Sequence, residues 1–124
     1  MAANGFLTCH ESSDGHTLYV KISNSFDFRL QAEFRQACHT RHYAHYVIDL
    51  ENTSYIDSSA LGILMLLYRH VGENRNAVRI IHCGGAVAEI LRIAHFDQFF
   101  DIPDIAPLGS AAVAPKAGPN PSVV

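Results

Sequence analysis

The stretch VIDLENTSYIDSSALGILMLLYRHV, residues 47–71, decides the fold, because it changes from strand to helix character at one acidic turn. Its beginning belongs to YVIDL (46–50), which is short, β-branched and mostly apolar, as an inner strand should be. The run from Ala60 to Val71 consists largely of good helix formers and predicts a helix. Between them, Asp57 or Ser58 can cap that helix by accepting hydrogen bonds from the free amides of its first turn.

The chain before this stretch predicts a hairpin and a helix. HTLYVKIS (16–23) alternates apolar and polar residues, which is typical of a half-buried strand. A weaker strand from about Phe6 to Glu11 precedes it, and SSDG (12–15) is the hairpin turn. An amphipathic helix follows, with Asp27 as its N-cap and with the i, i+4, i+7, i+8 spacing of Leu30, Phe34, Ala37 and Cys38.

The chain after this stretch adds a strand, AVRII (77–81), and a third helix through Val87, Ile90, Leu91 and Ala94. A short edge strand near 100–102 would close the domain. Strand–helix–strand units of this length favour parallel pairing with right-handed crossovers. We therefore expect an α/β fold with a mixed four- to five-stranded sheet and helices largely on one face. All five prolines lie at or after Pro103, so we predict a domain at 1–102 and a flexible Pro/Ala-rich tail at 103–124.

Composition limits the partners. Lys and Arg number 9 against 12 Asp and Glu, and no basic cluster is present, which argues against nucleic acid or an anionic membrane as the main partner. The apolar run Ile63–Tyr68 is too short for membrane insertion, and the N-terminus has no signal-peptide pattern. Cys9, Cys38 and Cys83 are far apart and predict reduced thiols. We expect a cytoplasmic protein.

The sequence gives little support for a catalytic role of Ser58 or Ser59. A nucleophile elbow requires G-x-S-x-G, whereas Ser58 and Ser59 have no flanking glycine, and none of the eight histidines is singled out as a base. No phosphate-binding loop pattern is present, and CGGA (83–86) has no nearby lysine. His39, His42 and His45 recur beside Cys38 near a predicted helix end and are interpreted as loop residues. We therefore predict no enzyme activity, no metal and no cofactor.

The second helix is apolar on more sides than one packing surface needs. A helix packed on one side requires an apolar stripe of roughly 100°, but almost every residue from Ala60 to Val71 is apolar. A domain of this size cannot enclose the helix completely. Part of its apolar face is therefore interpreted as a protein-binding surface.

The 47–71 stretch resembles the signature of STAS domains, and specifically of the anti-sigma factor antagonist branch. The shared pattern is a hydrophobic strand ending in Asp-Leu, a short loop before Asp-Ser-Ser, and then Leu-Gly with an apolar helix. The resemblance extends over about residues 6–102, through VKISNSFDF (20–28) upstream and VRIIHCGGAVAEILRIAHFDQFFDI (78–102) downstream. The Asp-Ser-Ser-x-Leu-Gly core is its most specific part.

The resemblance implies a regulatory switch without catalysis. Family members bind a cognate anti-sigma factor, often a serine kinase, which phosphorylates the serine matching Ser58 and so releases the antagonist. A PP2C-type phosphatase resets the switch, and Ser59 is the rival phosphoacceptor. The residues implied in partner binding are Asp27, Asp57, Ser58, Ser59, Ala60, Leu61, Met65 and Tyr68.

The same resemblance leaves a second function open, that of a STAS accessory subunit docking on the ATPase of a lipid-transport ABC system. Two departures from the family pattern are visible. Ala60 stands where the family usually has glycine, and Asn24-Ser25 stands where it usually has Gly-Glu or Gly-Asp. Because asparagine tolerates positive φ, we expect the turn at Asn24 to be kept.

Overall fold

A computed structural model describes residues 6–105, which form a mixed four-stranded sheet with three α-helices. The strand order is β1-β2-β3-β4; β1 is antiparallel to β2, and the other neighbours are parallel. The strands are β1 (Leu7–Glu11), β2 (Thr17–Phe26), β3 (His45–Ile56) and β4 (Val78–Ile81). This architecture confirms the predicted α/β fold class.

The helices begin and end near the predicted positions. They are α1 (Gln31–Cys38), α2 (Ser58–His70) and α3 (Gly85–Ile93), and short 3-10 turns occupy Phe28–Leu30, Arg75–Ala77 and Phe96–Gln98. Among residues 6–105, no helix has both the length and the apolar character required to cross a membrane.

One face of the sheet is covered and the other is left open. Along β2, Leu18, Val20 and Ile22 are at most 2% exposed, whereas Tyr19 between them is 39% exposed. Their register partners on β3 follow the same alternation, because buried Tyr46 and Ile48 oppose Leu18 and Val20. The alternation places the core between the helices and one sheet face, as expected.

Strand β3 extends through Ile56, beyond the Leu50 limit that its apolar run predicts. The extra segment is mostly polar, but it pairs with the end of β2 across two register shifts. The hydroxyl of buried Thr53 donates to the carbonyl of Ile22 at 2.7 Å, which satisfies a polar group in the interior. Asn24 has φ 67, so the expected left-handed backbone is present, but it occurs at a register shift within β2 and not in the predicted turn.

The possible fifth strand near 100–102 is reduced to one parallel bridge between Arg79 and Asp101. The Asp101 amide donates to the Val78 carbonyl, and the Ile80 amide donates to the Asp101 carbonyl. Ile102 and Ile105 remain in the core at 3% and 9% exposure. The predicted division at 103 stays a prediction, since the tail from 106 onward lies outside the described residues.

The three cysteines are free thiols in different surroundings. Cys9 is exposed on β1, whereas Cys38 and Cys83 are buried. Burial raises the pKa of the Cys38 thiol to about 12, so it carries almost no thiolate at neutral pH. Burial raises the pKa of Cys83 as well.

A histidine cluster lies between the C-terminal ends of α1 and α2. The ring centroid of His70 lies 4.2 Å from that of His42 and 4.7 Å from that of His39. His45, which shares their spacing in the sequence, begins β3 instead. Burial first, and then the nearby charges of His70 and Arg35, lower the pKa of His39.

Leu64→Ala is expected to reduce the free energy of unfolding by about 3 kcal/mol, because Leu64 is fully buried and its removal leaves a cavity. Leu66→Ala is the matched control on the same helix. Since Leu66 is 43% exposed, the expected loss is below about 1 kcal/mol. Urea denaturation of both variants measures the difference, and equal losses would contradict the assignment of the inner helix face.

Stability is also expected to fall on acidification through His39. Because the pKa of His39 is lowered in the folded state, the unfolded chain takes up this proton first as the pH falls below about 6.5. The contribution of neutral His39 to the free energy of unfolding is therefore complete above that pH. It is lost as the pH falls toward the lower pKa that His39 has in the folded state. Urea midpoints between pH 7.5 and 5.5 should show a flatter dependence for His39→Gln than for the unmodified chain. Gln36→Ala on the same helix should keep the original slope, and an unchanged slope in His39→Gln would refute the assignment.

Candidate functional site

Two aspartates occupy equivalent positions at the end of neighbouring parallel strands. Phe26 of β2 and Ile56 of β3 are register partners, and each is followed by an aspartate that caps a helical turn. Asp57 accepts a hydrogen bond from the Ala60 amide at 3.1 Å and begins α2. Asp27 begins the 3-10 turn Phe28–Leu30 in the same way. The strand pairing thus brings two carboxylates and two helical N-termini to one edge of the sheet.

Arg29 compensates part of this acidic charge. Its Nε and Nη2 donate to the two oxygens of Asp27 at 3.0 and 2.8 Å, in a two-pronged arrangement. This hydrogen bonding holds the pKa of Asp27 below its ordinary value. The pKa of Arg29 is raised, mainly by Asp27 and to a smaller degree by the charge of Asp57. Arg29 is therefore the hydrogen-bonded partner of Asp27, and the charge of Asp57 adds a smaller electrostatic effect.

Ser58 is exposed at the N-terminus of α2. It is the first residue of α2 and is exposed, whereas Ser59 is half-buried. The free amides and the macrodipole at a helix N-terminus favour an anion. The structure therefore places the Ser58 side chain outside the core at the positive end of the helix.

An apolar surface adjoins Ser58. The inner face of α2 buries Ala60, Ile63, Leu64 and Leu67. Among its outer residues Leu66 is 43% exposed. Phe28, in the 3-10 turn that contacts α2, and Tyr55, three residues before Ser58, are 65% and 54% exposed. We call this the α2 surface, and it comprises Phe28, Tyr55, Ser58, Leu61, Gly62, Met65 and Leu66.

Gly62 lies at the middle of the α2 surface. It is exposed, and a Cβ added there would meet no atom within 4 Å among the described residues. The helix main chain is therefore bare at this point, between the half-buried side chains of Leu61 and Met65.

The residues predicted as partner contacts do not all reach this surface. Ala60 is fully buried, so its methyl group contacts the core, and the prediction that it touches a partner is corrected. Asp27 is 8% exposed and pairs with Arg29. The half-buried Tyr68 ring packs edge-on against Phe99, with centroids 5.2 Å apart.

Three exposed apolar residues of this surface were missed from the sequence. In the sequence, Phe28 follows the Asp27 cap and Tyr55 lies in a polar segment, so neither belongs to an apolar repeat. Leu66 lies in a continuous apolar run, in which the sequence does not distinguish exposed from buried residues. The two-pronged pairing of Arg29 with Asp27 had no sequence signal beyond the charges of the two residues.

Comparison with known proteins places the chain in a family. A STAS family model described as "Mlab, STAS domain" matches residues 9–106. A STAS-domain containing protein of Pseudomonas aeruginosa (strain UCBPP-PA14) is 39% identical over 98 residues, which cover 77% of this chain and 97% of that protein.

Solved structures share the fold at low sequence identity. An anti-sigma factor antagonist from Mycobacterium paratuberculosis is similar with a TM-score of 0.65 and 18% identity, over 85% of this chain and 92% of that chain. The anti-sigma factor antagonist SpoIIAA in its unphosphorylated form gives a TM-score of 0.59 and 12% identity, over 81% of this chain and 89% of that chain. The Bacillus cell fate determinant SpoIIAA in its phosphorylated form gives a TM-score of 0.58 and 11% identity, over 77% of this chain and 89% of that chain. The fold is thus that of the solved antagonists, and the family match with its close relative shows that this chain belongs to the STAS-domain family.

Proposed function

We propose that the protein is an anti-sigma factor antagonist in a partner-switching pathway. It binds a cognate anti-sigma factor with serine kinase activity through the α2 surface, and phosphorylation of Ser58 switches it off. The observation that carries this proposal is an exposed serine at the N-terminus of α2, beside an apolar surface that the domain leaves uncovered. The protein itself performs no catalysis in this role.

The α2 surface has the composition of a docking site. Phe28, Tyr55 and Leu66 are large and exposed, and aromatic anchors contribute strongly at interfaces. The α2 surface includes residues of α2 and of the 3-10 turn Phe28–Leu30, which contacts that helix. The backbone that carries the exposed side chains is therefore held in regular secondary structure. A partner can bury these side chains without a rearrangement of the domain.

Phosphorylation at Ser58 would change the interface and spare the fold. A phosphoserine carries about −1.5 to −2 charges, and the helix N-terminus stabilises an anion by roughly 0.3–1 kcal/mol. The same group would add to the negative potential of Asp57 next to it. SpoIIAA is similar to this chain in both its unphosphorylated and its phosphorylated form, with TM-scores of 0.59 and 0.58, which supports the expectation that phosphorylation spares the fold.

Accessibility favours Ser58 over Ser59 as the phosphoacceptor. A kinase must reach the hydroxyl directly, and Ser58 is exposed whereas Ser59 is half-buried. The same exposure allows a PP2C-type phosphatase to remove the phosphate and reset the switch. We place this exchange in the cytoplasm.

Replacing Ser58 tests the switch. Ser58→Ala should keep binding to the co-purifying anti-sigma factor within about threefold, and Ser58→Asp should weaken it about 100-fold, equivalent to about 2.7 kcal/mol. Calorimetric titration measures both. Ser13→Asp introduces the same charge on the exposed hairpin and should bind like the unmodified chain. Equal affinity of Ser58→Ala and Ser58→Asp would overturn the proposal.

A second candidate function keeps the α2 surface and changes the partner. The protein would then be an accessory subunit that docks on the ATPase of a lipid-transport ABC system, without need of phosphorylation. The matching family model favours keeping this candidate, because its description names Mlab and no sigma-factor pathway.

Incubation with host extract and ATP, followed by mass spectrometry, separates the two candidates. Phosphate on Ser58 that disappears in Ser58→Ala is expected for the antagonist. An unmodified Ser58 together with capture of an ABC ATPase would select the accessory subunit instead.

A further inference from the structure

We propose that Asp49, Glu51 and His82 form a binding site for a divalent transition-metal ion, with zinc as the expected occupant. The site lies on the open face of the sheet. Asp49 and Glu51 are two residues apart on β3, and the side chains of such a pair point to the same face. Ile81 of β4 is the register partner of Asp49, so His82, the next residue, lies beside that carboxylate.

The distances between the ligand atoms suit a small metal ion. Nδ1 of His82 lies 3.0 Å from Oδ1 of Asp49, and the three side chains each offer a ligand atom within 4.8 Å of the others. Tetrahedral zinc with bonds of about 2.0–2.1 Å holds its ligands about 3.3 Å apart. Asp49 and His82 are already near this spacing. The Glu51 side chain is 59% exposed and can close the remaining distance by rotation.

Hydrogen bonds from main-chain amides hold the Asp49 carboxylate and the backbone of His82 in place. The Glu51 amide donates to Oδ1 of Asp49 at 2.9 Å. The His82 amide donates to Oδ2 of Asp104 at 2.6 Å, which fixes the start of the segment that follows β4. Such hydrogen bonds restrict the motion of the ligands before the metal ion binds, so less conformational entropy is lost on binding.

The donor set selects the class of ion. One imidazole nitrogen and two carboxylate oxygens suit zinc and neighbouring transition metals, whereas magnesium and calcium prefer oxygen alone. Three protein ligands leave the fourth position to water, since the group is exposed to half-buried. In the free chain, Nζ of Lys21 lies 3.5 Å from Glu51 and competes with the ion for that carboxylate.

The site is independent of the Ser58 switch. Asp49 precedes Asp57 by eight residues on or beside β3, roughly 25 Å at about 3.3 Å per residue. The rival metal site is the cluster of His39, His42 and His70. Within residues 6–105, however, Asp49, Glu51 and His82 are the only three such side chains that offer ligand atoms this close together.

Calorimetric titration of the full chain with zinc chloride tests the site. We expect one equivalent bound with micromolar affinity. His82→Asn should weaken binding at least about tenfold, and asparagine is chosen because it tolerates the left-handed backbone at this position (φ 61). Asp49→Asn should weaken it similarly while its amide oxygen still accepts the Glu51 amide. Circular dichroism verifies that both variants fold.

Two further variants sharpen the outcome. Lys21→Met removes the competing ammonium and should tighten zinc binding about two- to fivefold. His70→Gln removes the central ring of the histidine cluster and should leave zinc affinity unchanged. Absence of micromolar binding in the unmodified chain, or loss of binding in His70→Gln with retention in His82→Asn, overturns the proposal. Neither result bears on the phosphorylation of Ser58.

Discussion

The parallel pairing of β2 with β3 at Phe26 and Ile56 is the constraint on which the α2 surface depends. Because both strands end at the same level, the aspartates that follow them begin helical turns side by side. The Asp57 cap then sets the rotation of α2, so that Leu64 faces the core and Ser58 faces solvent. A change in this register would separate the two aspartates and move the start of α2, so the fold and the proposed switch depend on the same pairing.

Much of the fold could be predicted because local signals and tertiary packing agree. The alternation in β2, the apolar run at 46–50 and the cap at Asp57 each specify one element, and the structure contains all three. The sequence predictions fail in segments whose structure is determined by tertiary packing and not by a local sequence pattern. The polar second half of β3 becomes a strand because β2 offers it a partner, and Thr53 finds its acceptor on the neighbouring strand. The segment at 100–102 stays a single bridge.

The candidate site was predictable only in part, because exposure is a property of the assembled surface. The Asp-Ser-Ser sequence identifies a helix start, and the position of Ser58 follows from it. Which apolar residues remain uncovered does not follow, since Ala60 and Leu66 belong to one continuous apolar run but are 0% and 43% exposed. The approach of His82 to Asp49 arises from neighbouring strands whose residues are distant in sequence.

Gly62 shows how an interaction surface and helix stability can oppose each other. A glycine within a helix is less favourable than alanine by about 1 kcal/mol, and the space around Gly62 would admit a methyl group without a clash. The isolated domain is thus less stable than it would be with alanine at position 62. What it retains is a shallow notch of exposed peptide groups, into which a side chain of another molecule could fit at van der Waals distance.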